Sequence, residues 1–162
     1  MMEAVNARTL TEAIEQFIYL ENELLDEGRY GEWLDLFASD GLYWVPLQHG
    51  QDAPSEGLSL FDENIELLRM RIARMHHPTA HGMEVPIWTS RVIGNLRIRN
   101  EAEHITATAR FMLTESENDR QRIFAGKYEY RMTPYEDSFR IRRKRVDLVN
   151  CDAPFASIQI IL

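Results

Sequence analysis

Apolar positions recur at helical spacing from Leu10 onward. Leu10, Ile14, Phe17, Leu24 and Leu25 share one face at roughly 100° per residue. Thr9-Leu10-Thr11-Glu12 has the spacing of a capping box, which places the helix start there and leaves residues 1–8 as a loose tail. Gly28 ends the helix, and Arg29-Tyr30-Gly31 turns the chain. Trp33, Leu34 and Phe37 then give a shorter second helix its apolar side, closed by Ser39-Asp40-Gly41. Residues 42–47 read as a strand, rich in aromatic and β-branched side chains and stopped by Pro46. Residues 48–57 are polar, carry Gly50, Pro54 and Gly57, and predict an exposed loop. Asp62 is placed to cap a third helix whose apolar side is Ile65, Leu68, Ile72 and Met75, ending at His76-His77-Pro78.

From Pro86 the period changes from helical to alternating. Trp88, Val92, Leu96 and Ile98 are assigned to one face of a long strand, with Gly94 as a bulge position. Ile105, Ala107, Ala109, Phe111 and Leu113 alternate with His104, Thr106, Thr108, Arg110 and Met112, the signature of a half-buried strand. Residues 115–120 make a polar hairpin connection, and Phe124, Tyr128, Tyr130 and Met132 line the following strand. After a turn over 133–138, Phe139 and Ile141 begin another strand. Its apolar parity switches at Val146 and Leu148, which predicts a bulge among residues 142–145. Residues 157–162 read as a last apolar strand. Helices followed by a meander define an α+β protein: a curved antiparallel sheet with three N-terminal helices on one face. No repeat, low-complexity stretch or linker interrupts the chain, so a single domain over 1–162 is expected.

Composition narrows the function. Hydrophobic residues at 44% supply a real core for a 162-residue chain. A formal net charge of −8 argues against nucleic acid or an anionic membrane as partner, since both call for a basic surface. No apolar run reaches membrane-spanning length, and the N-terminus has no signal-peptide pattern, so a cytoplasmic protein is expected. One cysteine, Cys151, cannot build an intrachain disulfide, a zinc–thiolate site or an iron–sulfur cluster.

Glu21 stands out because it sits on the apolar helical stripe. A carboxylate buried there must be paired, hydrogen-bonded or protonated. It is either a general base in a pocket or the anchor of a structural ion pair, most plausibly with an arginine of the sheet. Tyr43, Trp44, Trp88, Tyr128 and Tyr130 are available to line a cavity, but aromatics on strands more often fill cores and interfaces. His76, His77 and His81 cluster, with His49 elsewhere, yet Pro78 interrupts any helix and no carboxylate completes a metal set. Residues 142–145 are the one basic run, and alternation places two cations on each face. No phosphate loop, nucleophile elbow or HExxH motif is present. No catalytic, metal or cofactor-binding residue is therefore assigned on this chain.

Several stretches together resemble the small (β) subunit of aromatic-ring-hydroxylating dioxygenases, the Rieske non-haem-iron oxygenases of aromatic catabolism. They are FIYLENELLDEGRYGEWLDLF with Glu21 and Trp33, Tyr43 with Pro46, Phe61-Asp62-Glu63-Asn64 with Arg71, and Glu84-x-Pro86. Ser90-Arg91 with Asn95, and Arg142-Arg143-Lys144 leading into Val146-Asp147-Leu148, complete the set. Val92-Ile93 depart from it, standing where the family often carries histidine or another polar residue. The resemblance implies the cone-shaped α+β fold shared with ketosteroid isomerase and scytalone dehydratase. It implies a β trimer joined to three α subunits (α3β3). The Rieske 2Fe–2S cluster and the mononuclear Fe(II) would sit on the α subunit, and NAD(P)H would supply electrons through a separate reductase. Glu21, Trp33, Tyr43, Pro46, Arg71, Pro86, Arg91, Asn95 and Arg143 are then structural or subunit-contact residues. The competing reading is a stand-alone lyase or isomerase of the same fold, with Glu21, Tyr43, Trp88 and Tyr128 around a pocket, as in ketosteroid isomerase. A bare small-molecule binding module is the third.

Overall fold

The computed structural model describes residues 2–75 and 85–162, with side chains in the first helix described from residue 9. The helix predicted from Thr9 begins earlier: α1 spans Met2–Asp26, so the capping-box residues lie inside it. The preceding residues include methionine, glutamate, alanine and arginine, all good helix formers, and they extend the helix through the expected cap. Of the predicted stripe, Ile14, Phe17, Leu24 and Leu25 are buried and Leu10 is partly buried, and Ile18 joins them in the core. Gly28 closes α1 with φ of 68°, and the Arg29 amide returns to the Leu24 carbonyl at 2.8 Å. That left-handed closure is why glycine stands there.

Helix α2 is a single turn, Tyr30–Leu34. Phe37 is not on it, as the sequence suggested, but opens strand β1, Phe37–Pro46. Ser39-Asp40-Gly41 do not close a helix; they bulge out of the β1–β6 pairing between Phe37 and Leu42. Strand β2, Ser59–Asn64, has no counterpart among the sequence expectations, and it displaces Asp62 from its expected role. The cap of α3, Ile65–Met75, is Asn64, whose Oδ1 accepts the Leu67 amide at 3.0 Å. Leu68 and Ile72 are buried as expected. The predicted ending at His76-His77-Pro78 lies outside the described residues, as do His81 and Glu84.

The remaining strands are β3 (Ile87–Asn100), β4 (Ile105–Glu117), β5 (Arg120–Tyr135) and β6 (Ser138–Leu148). The sheet order is β2-β1-β6-β5-β4-β3, antiparallel except where β1 runs parallel to β6. Asn118 and Glu136, both with positive φ, sit in two-residue hairpin turns, tighter than the connections read from the sequence. The three helices cover one face, with α1 packed on β3 and reaching β6.

Two bulges decide which side chains face inward. The β3–β4 register shifts between Gly94 and Arg97, at the expected glycine, and Asn95 takes φ of 54°. The extra residue splits the predicted apolar face: Leu96 and Ile98 pack on the core, whereas Trp88 and Val92 point outward, each 70% exposed. In the β5–β6 pair the shift lies at Arg142, within the predicted window. It turns Lys144 inward with Val146 and Leu148, so the basic run places one buried cation inside rather than two. Residues 157–162 form no strand. Ile160, Ile161 and Leu162 bury as an irregular segment whose backbone is held by side chains: Ser157 by Arg122, Ile161 by Arg91 and Leu162 by Tyr43.

Candidate functional site

Glu21 is brought to the interface of α1, α2 and the inner face of β5 and β6. Its side chain is completely buried. Oε1 accepts the Trp33 indole N–H at 2.6 Å and the Lys144 ammonium at 2.7 Å. Oε2 accepts the Tyr130 hydroxyl at 3.0 Å and Asn22 Nδ2 at 3.0 Å. A carboxylate has about four lone-pair directions, and all four are taken. The buried partner is a lysine, not the arginine expected, because the bulge at Arg142 selects position 144.

Aromatic rings enclose the pair. The Lys144 ammonium lies 4.4 Å from the Tyr128 ring centroid, and Tyr128 stacks on Phe111 at 3.9 Å. Trp33 meets Phe37 edge-on at 4.9 Å and Tyr43 at 6.1 Å. Burial, reinforced by the nearby Arg91 charge, pushes the Lys144 ammonium down to about 8 against the pull of Glu21. Burial raises the Tyr43, Tyr128 and Tyr130 hydroxyls above their ordinary value.

A second polar cluster fastens the end of α1. Asp26 Oδ2 accepts the Arg91 amide at 2.8 Å, and Oδ1 accepts Thr89 Oγ1 at 2.9 Å and the Arg91 guanidinium. Arg91 also donates to the Ile161 carbonyl. The Tyr43 hydroxyl accepts the Leu162 amide at 3.0 Å and donates back to its carbonyl. Arg71 grips Glu63 in a forked ion pair above the Phe61 ring. On the outer face, Arg143 pairs with Glu129 at 2.6 Å, and Arg145 covers the buried Trp44.

The expected residues therefore do not converge on one cavity. Glu21, Trp33, Tyr43 and Tyr128 are core, and Arg71, Arg91 and Arg143 tie elements together. Pro46 ends β1 buried, and Asn95 is the exposed bulge residue. Trp88, expected to line the pocket, faces outward instead. Pro86 borders an open cleft of about 400 Å³ with Tyr30, Met75, Val85, Ile87, Gln159 and Ile160, which holds no ionisable pair among its described residues. Lys144, Tyr130 and Asn22 complete the Glu21 cluster without having been singled out together. Of the three, the parity switch in β6 was the available signal for Lys144.

The outer face carries a further feature. Val92 lies opposite Met112, Met112 opposite Ala125, and Ile123 opposite Thr114. With Trp88, the residues Val92, Met112 and Ile123 make an exposed apolar band across β3, β4 and β5. Among the described residues, no helix is long and apolar enough to cross a membrane.

Comparison with known proteins gives a consistent result. The family profile described as "Ring hydroxylating beta subunit" matches residues 20–153. The small oxygenase component of the p-cumate 2,3-dioxygenase system of Pseudomonas putida is 30% identical over 92% of this chain and 85% of its own length. Among solved structures, naphthalene 1,2-dioxygenase with indole bound superposes with a TM-score of 0.79. It is 20% identical and covers 94% of this chain and 84% of its own. A scytalone-dehydratase-like protein of Novosphingobium aromaticivorans superposes at 0.67, with 14% identity, covering 92% of this chain and 89% of its own. At those identities the structural likenesses speak for the fold, which is the one the sequence resemblance implied.

Proposed function

Because the chain belongs to the ring-hydroxylating dioxygenase β-subunit family, we propose that it assembles as a trimer with three large subunits that hold the Rieske cluster and the mononuclear iron. It is the small subunit of an aromatic-ring-hydroxylating dioxygenase system, and so an oxidoreductase component. On this reading the ring is oxygenated on the large subunit, electrons come from NAD(P)H through a separate reductase, and no residue of this chain is catalytic. Its one domain shapes and braces the assembly in the cytoplasm.

The observation that carries this reading is the outer apolar band. Trp88 and Val92 at 70% exposure, with Met112 and Ile123 beside them, are unfavourable in water and suited to burial against another subunit. The saturated Glu21 weighs against the lyase or isomerase reading. A general base needs a free lone pair within reach of substrate, and both oxygens of the fully buried Glu21 are occupied.

Reconstituted turnover tests the proposal. Oxygenation of an aromatic substrate should require this chain together with its large subunit, and Glu21→Gln should leave turnover per assembled complex within about twofold of wild type. Turnover by this chain alone that vanishes in a Glu21→Gln variant still folded by circular dichroism would reinstate the lyase reading.

A further inference from the structure

The fold brings His49 to two potential metal ligands, Cys151 and Asp152, that lie about a hundred residues further along the chain. His49 lies on the loop after β1, and Cys151 and Asp152 lie on the turn after β6. One ligand atom from each falls within 4.8 Å of the other two, and His49 Nε2 is 3.7 Å from Asp152 Oδ1. Cys151 is buried, and its turn is fixed by the Cys151 amide donating to the Leu148 carbonyl at 3.3 Å and the Ala153 amide to Asn150 at 3.0 Å. His49 and Asp152 are exposed at their side chains, so both can rotate onto an ion seated against a stationary sulfur. The groove alongside, about 530 Å³, leaves room for solvent as a fourth ligand. Of the cations lining it, Arg145 and Lys127 are engaged by Asp147, and Arg110 lines it as well.

We propose that His49, Cys151 and Asp152 form a binding site for a single zinc-class divalent ion, which staples the β1–β2 loop to the turn after β6. The donor set decides the class. One thiolate, one imidazole and one carboxylate suit a borderline-soft ion that accepts three protein ligands and a water, and they disfavour magnesium or calcium, which take oxygen donors. One thiol cannot hold zinc by itself, and the adjacent Asp152 does not complete a donor set. The pairing of β1 with β6 adds His49.

Cobalt(II) titration of the full chain tests this. Cys151 is the only cysteine, so thiolate-to-cobalt charge transfer in the near ultraviolet reports on this site alone, and the other histidines cannot generate it. The expected result is a band that saturates at one equivalent and is displaced by Zn2+ but not by Mg2+. Cys151→Ser should abolish it. His49→Ala and Asp152→Asn, both exposed changes that should leave the circular dichroism unaltered, should each weaken binding by about tenfold or more. A folded wild-type chain that develops no charge-transfer band, or a band equally strong in both exposed variants, would overturn the site.

Discussion

Glu21 and Lys144 are each fully buried, and each is the other's only opposite charge at hydrogen-bonding distance among the described residues. Removing one charge strands the other, so Glu21→Gln and Lys144→Met should each lose about 3–5 kcal/mol in urea unfolding. The double variant should lose less than the sum of the two, because neither ion is left unpaired. The pair also sets a pH dependence. Lys144 is depressed to about 8 in the folded chain against an ordinary 10.5. The penalty for burying its charge is therefore fully present below pH 8. Between about 8 and 10.5 the unfolded chain binds more protons, and this residue's contribution to stability rises with pH. Above about 10 the three buried tyrosines oppose it, since the unfolded chain ionises them first. From pH 7 to 9.5, the stability of the wild type relative to Lys144→Met should increase. A flat or falling difference would contradict the assignment. The anchor itself was legible, because a carboxylate on an apolar stripe has to be paired. Its partner was not, because one extra residue at Arg142 chooses between neighbouring cations.

At the scale of elements, the sheet and helices rest on a few joints. Asp26 fastens the end of α1 to β3 through the Arg91 amide, the Thr89 hydroxyl and the Arg91 guanidinium. Asp26→Ala leaves a nearly buried arginine without its carboxylate and should lower stability by about 3 kcal/mol, with a matching fall in the denaturant midpoint. At Gly126 the strands β5 and β6 leave no room for a side chain: an added Cβ would stand 2.0 Å from the Asp147 carbonyl oxygen. Gly126→Ala must push two strands apart and should lose about 3 kcal/mol, seen as a lowered Tm. The long alternating strands and the apolar stripe of α1 were readable from periodicity, as were both bulge windows. Strand β2 was not, since Leu60-Phe61-Asp62-Glu63-Asn64 neither alternates cleanly nor runs apolar. Residues 157–162 misled in the opposite way. Their apolar run reflects burial, but arginine and tyrosine side chains hold the backbone where a strand partner was expected.

At the scale of the molecule, the inner face is consumed by core packing, and the outer face is left with an apolar band. The sequence assigned Trp88 and Val92 to one face with Leu96 and Ile98, and the bulge at Gly94 and Asn95 puts the first two on the outside. Periodicity could suggest a bulge there but could not say which half of the strand kept the inward face. Trp88→Glu and Val92→Glu should leave the chain folded by circular dichroism and lower the mass of its assembly by light scattering, because they alter only the outer face. If this chain is a structural subunit whose chemistry lies on a neighbour, the mass of the complex will show it. When the chain is purified with its cognate large subunit, multi-angle light scattering should find one particle containing three copies of each. Separate elution of the two chains, with this one a stable monomer, would contradict the account.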